Sequence, residues 1–504
     1  MNEKFSKRID WFITLVPFGC ILLLCAFFMI FPESSSETVT SIRGFLGDEL
    51  GSYYLIIGLG MFLVSMYMAF SKYGNIKLGN VDKPQYSYFQ WGSMMFTAGL
   101  AADILFYSLC EWMLYANESY TTQFGAMEEW APTFTLFHWG PIPWAFYMVL
   151  AVAFGFMLHV KNVSKQKYSE ACRPILGKHT DGWAGRIIDL IAVFALIAGT
   201  ATTFSVATPL LASTVCKLFN VNSSAAISII ILAVVCIVYT ICALRGMKGV
   251  SWLAASCTYL FMALLAFVLL FGGEARFIVE TGLTSIGNVI QNFIGLCTKT
   301  DPLRLTSFPQ NWTIFYWAYW MVWCVATPFF IGSISKGRTV RQVILGGYAF
   351  GLAGTYLSFI ILGNYGLGLQ VMGKFDALGL YSATGSLYET IVGIINNLPL
   401  ATPVLILLAI TMIAFYATSF DSISLVASAY SYKNLMPDEE PNKKLRFFWS
   451  ILLILLPIAL LFSESSMSNL QSVSIIAAFP IGIIMILMVV SFFKDANQYL
   501  SSRQ

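Results

Sequence analysis

The sequence predicts an all-α integral membrane protein with about twelve transmembrane helices. Its 504 residues are 58% hydrophobic and 11% charged, with a mean hydropathy of +0.73, which lies far from the composition of soluble domains. Apolar runs of roughly 20 residues, the length that spans a bilayer, recur along the whole chain. The loops between these runs alternate between basic and acidic or nearly neutral. Together these features predict a polytopic protein.

Each predicted span is an apolar run that ends at polar or charged residues. The runs are 11–31, 52–70, 87–115, 134–160, 187–211, 225–244, 251–272, 312–333, 343–362, 402–427, 447–462 and 473–493. The first run has full span length and lacks a small-residue cleavage site after Phe31, so we expect it to remain as an anchor. The stretch 274–297 is interrupted by Glu280 and Asn288, which favours a helix lying along the outer surface.

The charges in the loops predict the orientation of the chain. Lys and Arg collect at the N-terminus and in every second loop, for example around Lys161 and around Lys336. Because cytoplasmic loops accumulate these residues, both termini are predicted to face the cytoplasm. We expect one domain over 1–504, divided into two N-terminal helices (10–86), a first repeat (87–272), a surface linker (273–311) and a second repeat (312–495). The third and eighth spans would each open a set of five helices, in an inverted five-plus-five repeat.

The third span contains a narrow, small-residue stretch followed by an acid. Gly99 could let the helix unwind between Thr97 and Ala102 and present backbone carbonyls to an ion. Asp103 follows directly, and an ionisable residue inside the membrane is costly and usually functional. The alternative is a protonated Asp103 that hydrogen-bonds to a neighbouring helix.

Aromatic side chains cluster in the fourth and eighth spans. Trp144 and Tyr147 are three residues apart on one helix face, and Trp139 precedes them on a turn distorted by Gly140 and proline. His138 by itself favours a hydrogen-bonded structural role. The eighth span carries rings at helical spacings of three and four, namely Tyr316, Tyr319, Trp320 and Trp323. The pattern favours a cage that holds a cation by cation–π attraction, whereas the alternatives are interfacial anchoring and simple helix packing.

The tenth span places Thr418 and Ser419 beside Asp421. Such oxygens can ligate a hard cation, although Thr and Ser in membranes also bond back to carbonyls of their own helix. The ten cysteines are scattered through apolar runs and are interpreted as core residues. A net charge of +3 gives no indication of nucleic-acid binding. No nucleophile–base pair or metal-ligand spacing indicates an enzyme.

At these residues the chain resembles the betaine/carnitine/choline transporter family over nearly its whole length. The motifs that carry the resemblance are 137–140 with Trp144, 312–317 with Trp320, the basic turn 334–339, and 418–422. The resemblance implies a twelve-helix secondary transporter with an inverted repeat, usually a homotrimer, that moves quaternary ammonium or related zwitterionic solutes. A channel or a sensing receptor is the rival class, but no signalling domain is recognisable in the sequence.

The resemblance also implies roles for individual residues. The substrate box maps to Trp139, Trp144, Tyr147 and Trp320, with Trp323 below it, and Tyr319 stands where the family commonly has Trp. Inner-gate aromatics map to Phe106 and Phe330. A sodium site maps to the backbone at Thr97 and Leu100, together with Phe415, Thr418 and Ser419. The family's sodium-independent exchangers carry an Arg early in the seventh span, about where this chain has Cys257.

Asp103 departs from the betaine carriers, which usually have Gly there, and is similar to choline carriers. Choline is a net cation that a nearby carboxylate attracts, whereas the carboxylate of a zwitterion would be repelled by an ionised Asp103. We therefore expect import of quaternary ammonium compounds across the cytoplasmic membrane, with choline preferred and with Na⁺ or H⁺ coupling. No cofactor is expected beyond Na⁺ as a possible coupling ion. The alternative is a symporter or exchanger of glycine betaine, carnitine or γ-butyrobetaine.

Overall fold

The computed structural model describes residues 7–163, 165–244, 247–435, 440–462 and 467–503. Nearly all of them are helical, as the fold class predicts. The α-helices are α1 Trp11–Ile30, α2 Pro32–Arg43, α3 Gly51–Phe70, α4 Tyr88–Thr97, α5 Ala102–Ala116, α6 Ser119–Phe124, α7 Met127–His138, α8 Pro141–His159, α9 Tyr168–Ala171, α10 Arg173–Leu176, α11 Trp183–Phe219, α12 Ala225–Leu244, α13 Met247–Phe271, α14 Ala275–Cys297, α15 Ile314–Trp323, α16 Thr327–Ile334, α17 Val340–Gly346, α18 Leu352–Ser358, α19 Asn364–Val371, α20 Ala377–Thr384, α21 Leu387–Asn396, α22 Ala401–Tyr430, α23 Lys443–Phe462 and α24 Met467–Ser501. Wider π-helical turns join α17 to α18 and α18 to α19, so 340–371 forms one continuous segment.

The long apolar helices match the predicted spans in order and approximate position. Within the described residues, eight helices are long and apolar enough to cross a membrane, or up to eleven when each of three bent pairs counts as one span. Helix α12 contributes a further apolar segment, whose tested part ends at Val238. The all-α membrane architecture is confirmed, whereas the count of twelve and the repeat boundaries stay predictions.

Burial separates central helices from peripheral ones. In the segment 127–159, 89% of the most apolar window is buried, and in α11 the value is 78%, against 28% in α1. Helix α8 packs along α16, α15 and α11 pack against α24, and α13 packs on α22. The nine cysteines with described side chains are all free thiols. Helices α5, α7, α8, α11 and α15 bury most of their own residues and form the centre of the molecule.

Helix α14 is the predicted surface linker. It follows α13 after a bend of 112° and packs one side on α7. Its opposite side leaves Leu283 and Ile290 more than 70% exposed. An amphipathic helix of this kind suits the membrane interface.

The basic turn 334–339 ties two loops together. The Lys336 carbonyl accepts a hydrogen bond from the Gln85 backbone N–H (3.1 Å), and the Arg338 guanidinium lies 4.9 Å above the ring of Trp91. Gly337 has φ +86°, and a Cβ there would lie 2.7 Å from the Cα of Pro84, so this turn requires glycine. Part of the sequence motif is thus explained by chain anchoring at the cytoplasmic side of the predicted topology.

Several helices outside the predicted segments were not predicted, namely α2, α6, α9, α10, α20 and α21. Each is too short or too polar to span a bilayer, so a search for long apolar runs passes over them. Helix α21 nevertheless buries Leu387, Ile391 and Ile394 at spacings of four and three, a helical periodicity that could have revealed it.

Candidate functional site

The predicted third and eighth spans are both broken near their middles. Helices α4 and α5 meet at a bend of 62° across residues 98–101, and the segment 309–323 meets α16 at a bend of 53°. Breaks of this kind expose backbone groups and are tolerated in membranes where they line a protein-enclosed site. The small residues around Gly99 thus lie where the sequence predicted an unwound segment.

Four aromatic rings from α8, α15 and the turn before α8 form a compact box. The ring centroid of Trp320 lies 5.5 Å from that of Trp139, 6.0 Å from that of Trp144 and 4.9 Å from that of Tyr147. All four side chains are at most 4% exposed. The structure therefore brings together the residues that the resemblance assigned to the box. Their binding of a cation stays a prediction.

Two glycines leave room for the indole ring of Trp144. A Cβ on Gly99 would lie 2.8 Å from Trp144 Cζ2, and one on Gly351 would lie 2.2 Å from Trp144 Cζ3. Since real Cβ atoms do not approach so closely, any larger residue at either position must displace the indole. The break in the third span and the π-helical turn at 347–351 thus position one wall of the box.

Asp103 lies beside the box at the first turn of α5 and is 4% exposed. Its Oδ2 atom accepts hydrogen bonds from the hydroxyl groups of Tyr319 and Thr203, the latter at 3.4 Å. Its Oδ1 atom is buried and has no hydrogen-bond partner among the described residues. The two donors and the helix N-terminus favour a negative charge, which burial opposes. Tyr319 connects this carboxyl to the box, with its ring 6.4 Å from that of Trp139.

The remaining predicted aromatics lie apart from the box. Trp323 is half-buried beside Gly199 of α11. Phe106 is buried, with its ring 5.4 Å from that of Tyr388 on α21. Phe330 is 43% exposed on α16. In the predicted topology Phe106 lies toward the outer side of the membrane and Phe330 toward the inner side, and their role as gates stays a prediction.

The predicted sodium ligands supply oxygen atoms, the donor type that hard cations prefer. The Thr97 hydroxyl bonds back to its own helix, and the Thr97 carbonyl accepts from the Leu100 N–H at 3.1 Å. The Thr418 hydroxyl donates to the Phe415 carbonyl at 3.0 Å. This back-bonding is the alternative that the sequence left open, and it occupies the hydroxyl hydrogens while leaving oxygen lone pairs. Ser419 is half-buried next to this pair.

Cys257 lies against the same hydroxyl, with its Sγ atom 4.0 Å from Thr418 Oγ1. The resemblance puts an exchanger's Arg at about this position in the sequence, so the correspondence stays a prediction. The side chains of Asp421 and Ser422, which belong to the same motif, lie outside the described part of the chain. Among the described residues, no group of three or more His, Cys, Asp and Glu side chains could hold a metal ion.

A buried polar cluster next to the box was not predicted. Glu111 accepts hydrogen bonds from the Tyr115 hydroxyl (2.7 Å) and the Trp139 indole N–H (2.6 Å). Tyr115 also contacts His138 Nδ1 (2.8 Å), and His138 Nε2 contacts Thr313 Oγ1 (2.9 Å). The structural role expected for His138 agrees with these contacts. An acid inside an apolar span was the available signal for Glu111, but it lay near the predicted end of the span.

Broken membrane helices that meet at a buried cluster of functional side chains are typical of secondary transporters. A family model described as "BCCT, betaine/carnitine/choline family transporter" matches residues 12–500, and the chain belongs to this family. It is 28% identical to the glycine betaine transporter OpuD of Bacillus subtilis (strain 168) over 505 residues, covering 98% of this chain and 95% of that protein. It is 29% identical to a probable glycine betaine transporter of Desulfitobacterium hafniense (strain Y51) over 488 residues, covering 94% and 95%.

Proposed function

We propose that this protein imports quaternary ammonium compounds, with choline preferred, by ion-coupled alternating access. The observation that carries the choline preference is the buried Asp103 carboxyl beside the aromatic box, with one oxygen free of protein hydrogen bonds among the described residues. The family and its relatives support transport of betaine-type solutes in general.

The box suits a trimethylammonium group for a physical reason. Such a group has no N–H donor, so it loses water without needing hydrogen-bond acceptors in return. The ring faces of Trp139, Trp144, Tyr147 and Trp320 supply part of the lost solvation at ~0.5–2 kcal/mol per ring. Their burial keeps water out of the box and preserves that attraction.

Net charge distinguishes choline from zwitterions at this site. An ionised Asp103 attracts choline, whose positive charge has no internal counterpart. The carboxylate of glycine betaine would be repelled by the same group unless a proton or a cation neutralised it. Asp103 therefore favours choline and offers a place where a coupling proton could reside.

Glycine betaine is the second candidate substrate, by symport or exchange. The names of both relatives refer to this solute. In addition, the indole Nε1 atoms of Trp144 and Trp320 are buried without hydrogen-bond partners among the described residues. Each indole N–H could donate a hydrogen bond to a substrate carboxylate. Exchange of carnitine or γ-butyrobetaine is proposed for the same reason, since these indole N–H groups could bind a substrate carboxylate.

The coupling ion is proposed to be Na⁺ or H⁺. Sodium would be held by backbone and hydroxyl oxygens of Thr97, Leu100, Phe415, Thr418 and Ser419, where it would supply positive charge near the site. A proton would reside on Asp103. We further propose a homotrimer in the cytoplasmic membrane with both termini in the cytoplasm, as the family resemblance and the loop charges imply.

One uptake series tests this proposal. Proteoliposomes are assayed for radiolabelled choline, glycine betaine and carnitine, with and without a Na⁺ gradient and at two pH values. We expect saturable choline accumulation above the external concentration, driven by one of the two gradients. Counterflow without any gradient would instead establish exchange, and equilibration without accumulation would refute ion-coupled import.

A further inference from the structure

Glu111 lies directly behind one wall of the aromatic box. Its side chain is fully buried, and its Oε2 atom accepts the hydrogen bond of the Trp139 indole at 2.6 Å. Trp139 turns its ring toward the box, 5.5 Å from Trp320. The carboxyl is therefore separated from the proposed cation site by one aromatic ring.

The groups around Glu111 can serve a carboxylate as hydrogen-bond donors. The indole N–H of Trp139 can only donate, and Tyr115 donates its one hydroxyl hydrogen to Oε1, so both oxygens of Glu111 accept. With Tyr115 donating to Glu111, its oxygen can accept from His138 Nδ1–H, and His138 Nε2 of the neutral ring can accept from the Thr313 hydroxyl.

In the described part of the chain, no arginine or lysine forms an ion pair with Glu111. Among the described residues, the only basic side chain within 4.0 Å of the Glu111 carboxyl is His138, with Nδ1 at 4.0 Å from Oε1. A buried carboxylate without a cationic partner is costly, and a substrate cation in the box would offset part of that cost. An indole whose N–H donates to a carboxylate also presents a more negative ring face, which strengthens cation–π attraction.

We propose that Glu111 is a second acidic determinant of specificity, which acts through Trp139. It holds the indole in orientation and adds negative potential to the box, so it favours substrates of net positive charge over zwitterions. This inference rests on the proposed function and adds a residue that the sequence did not single out. Glu111 is a positioning and electrostatic residue that need not touch the substrate.

The test compares Glu111→Gln with a matched control, Glu118→Gln. Glu118 accepts an indole N–H in the same way, from Trp312 at 2.7 Å, but that ring is not part of the box. Equilibrium binding of choline and of glycine betaine to the purified transporters is measured by calorimetry, with monodispersity and thermal stability as folding checks. We expect Glu111→Gln to bind choline about tenfold more weakly, or ~1.4 kcal/mol, and glycine betaine at most about threefold more weakly. Glu118→Gln should bind both like the wild type.

Choline affinity unchanged in Glu111→Gln would overturn the inference, as would equal weakening of both ligands, which would indicate a structural role alone. If Glu111→Gln fails to fold, Tyr115→Phe removes one donor but keeps the charge, and it should retain the wild-type ratio of choline to betaine affinity. A changed ratio in Tyr115→Phe would count against the electrostatic role. A wild type that binds neither ligand would refute the proposed function itself, an outcome distinct from failure of this inference.

Discussion

Replacing Trp320 by leucine is the most direct test of the aromatic box. Trp320 is the ring that contacts the other three, with centroid distances of 5.5, 6.0 and 4.9 Å to Trp139, Trp144 and Tyr147. Leucine keeps an apolar side chain at this position but removes the π face. The substitution therefore separates cation–π attraction from simple exclusion of water.

The magnitude follows from the burial of the ring. Trp320 is 3% exposed, so its attraction for a cation belongs to the desolvated end of the range, ~1–2 kcal/mol. This corresponds to a loss of about 5–30-fold in choline affinity. Loss of three ring contacts also lowers the free energy of unfolding, by ~0.5–1.5 kcal/mol per pair.

The matched control is Trp317→Leu. Trp317 lies on the same helix and is fully buried, but its ring packs 5.8 Å from that of Phe137 and fills the space beside Gly58. Calorimetric binding of choline and uptake into proteoliposomes are measured for both variants and for Trp320→Phe, at matched expression.

We expect Trp317→Leu to lose stability while keeping choline affinity within about threefold. Trp320→Phe should recover part of the affinity because phenylalanine restores a π face. Choline affinity of Trp320→Leu equal to that of the wild type would refute the box. Trp320→Phe no better than Trp320→Leu would show that indole shape, and not the ring face, is what matters.

Three further predictions follow from the same geometry. Asp103→Gly should shift preference from choline toward glycine betaine. The expected shift is about 2 kcal/mol, for a cation roughly 7 Å from the carboxylate at an effective dielectric of about 20. Competition uptake measures the ratio of choline to betaine transport, and an unchanged ratio would contradict the charge argument. Gly351→Ala should displace Trp144 and weaken choline binding about tenfold or more, whereas Gly287→Ala, where a Cβ meets nothing within 4 Å, should not. Outside the spans, burial alone would raise the pKa of Asp301, but hydrogen bonds donated by the loop that follows it lower that pKa to about 2. A lowered pKa stabilises the fold above the ordinary carboxyl pKa and the benefit is lost as the pH falls through about 2. The gap in apparent Tm between wild type and Asp301→Asn should therefore hold from neutral pH to about 4 and close toward pH 2; a gap that does not narrow there would contradict this account.

The sequence predicted well those features that depend on local composition. Runs of about 20 apolar residues locate membrane helices because a bilayer imposes that length, so the order of the long helices was recovered. Helix α14 was expected as a helix, and its location at the membrane surface stays a prediction. Observed helices extend beyond the predicted spans by one to eight residues, as at α11 and α22, because polar caps and interfacial turns continue a helix beyond its apolar core. Short helices such as α21 follow no such length rule and were missed.

Tertiary packing alone decided the site's contacts. The sequence supplied Trp139, Trp320 and Asp103 as candidates, but these residues come from segments far apart in the chain, and only packing places Trp320 against Trp139 and Tyr319 against Asp103. The proposed role of Glu111 depends on the hydrogen bond between its carboxyl and the Trp139 indole, which the sequence does not reveal. Hydrophobicity sets which segments enter the membrane, because transfer from water is additive along the chain. Ring contacts and hydrogen bonds depend on distance and direction between helices, which no local pattern specifies.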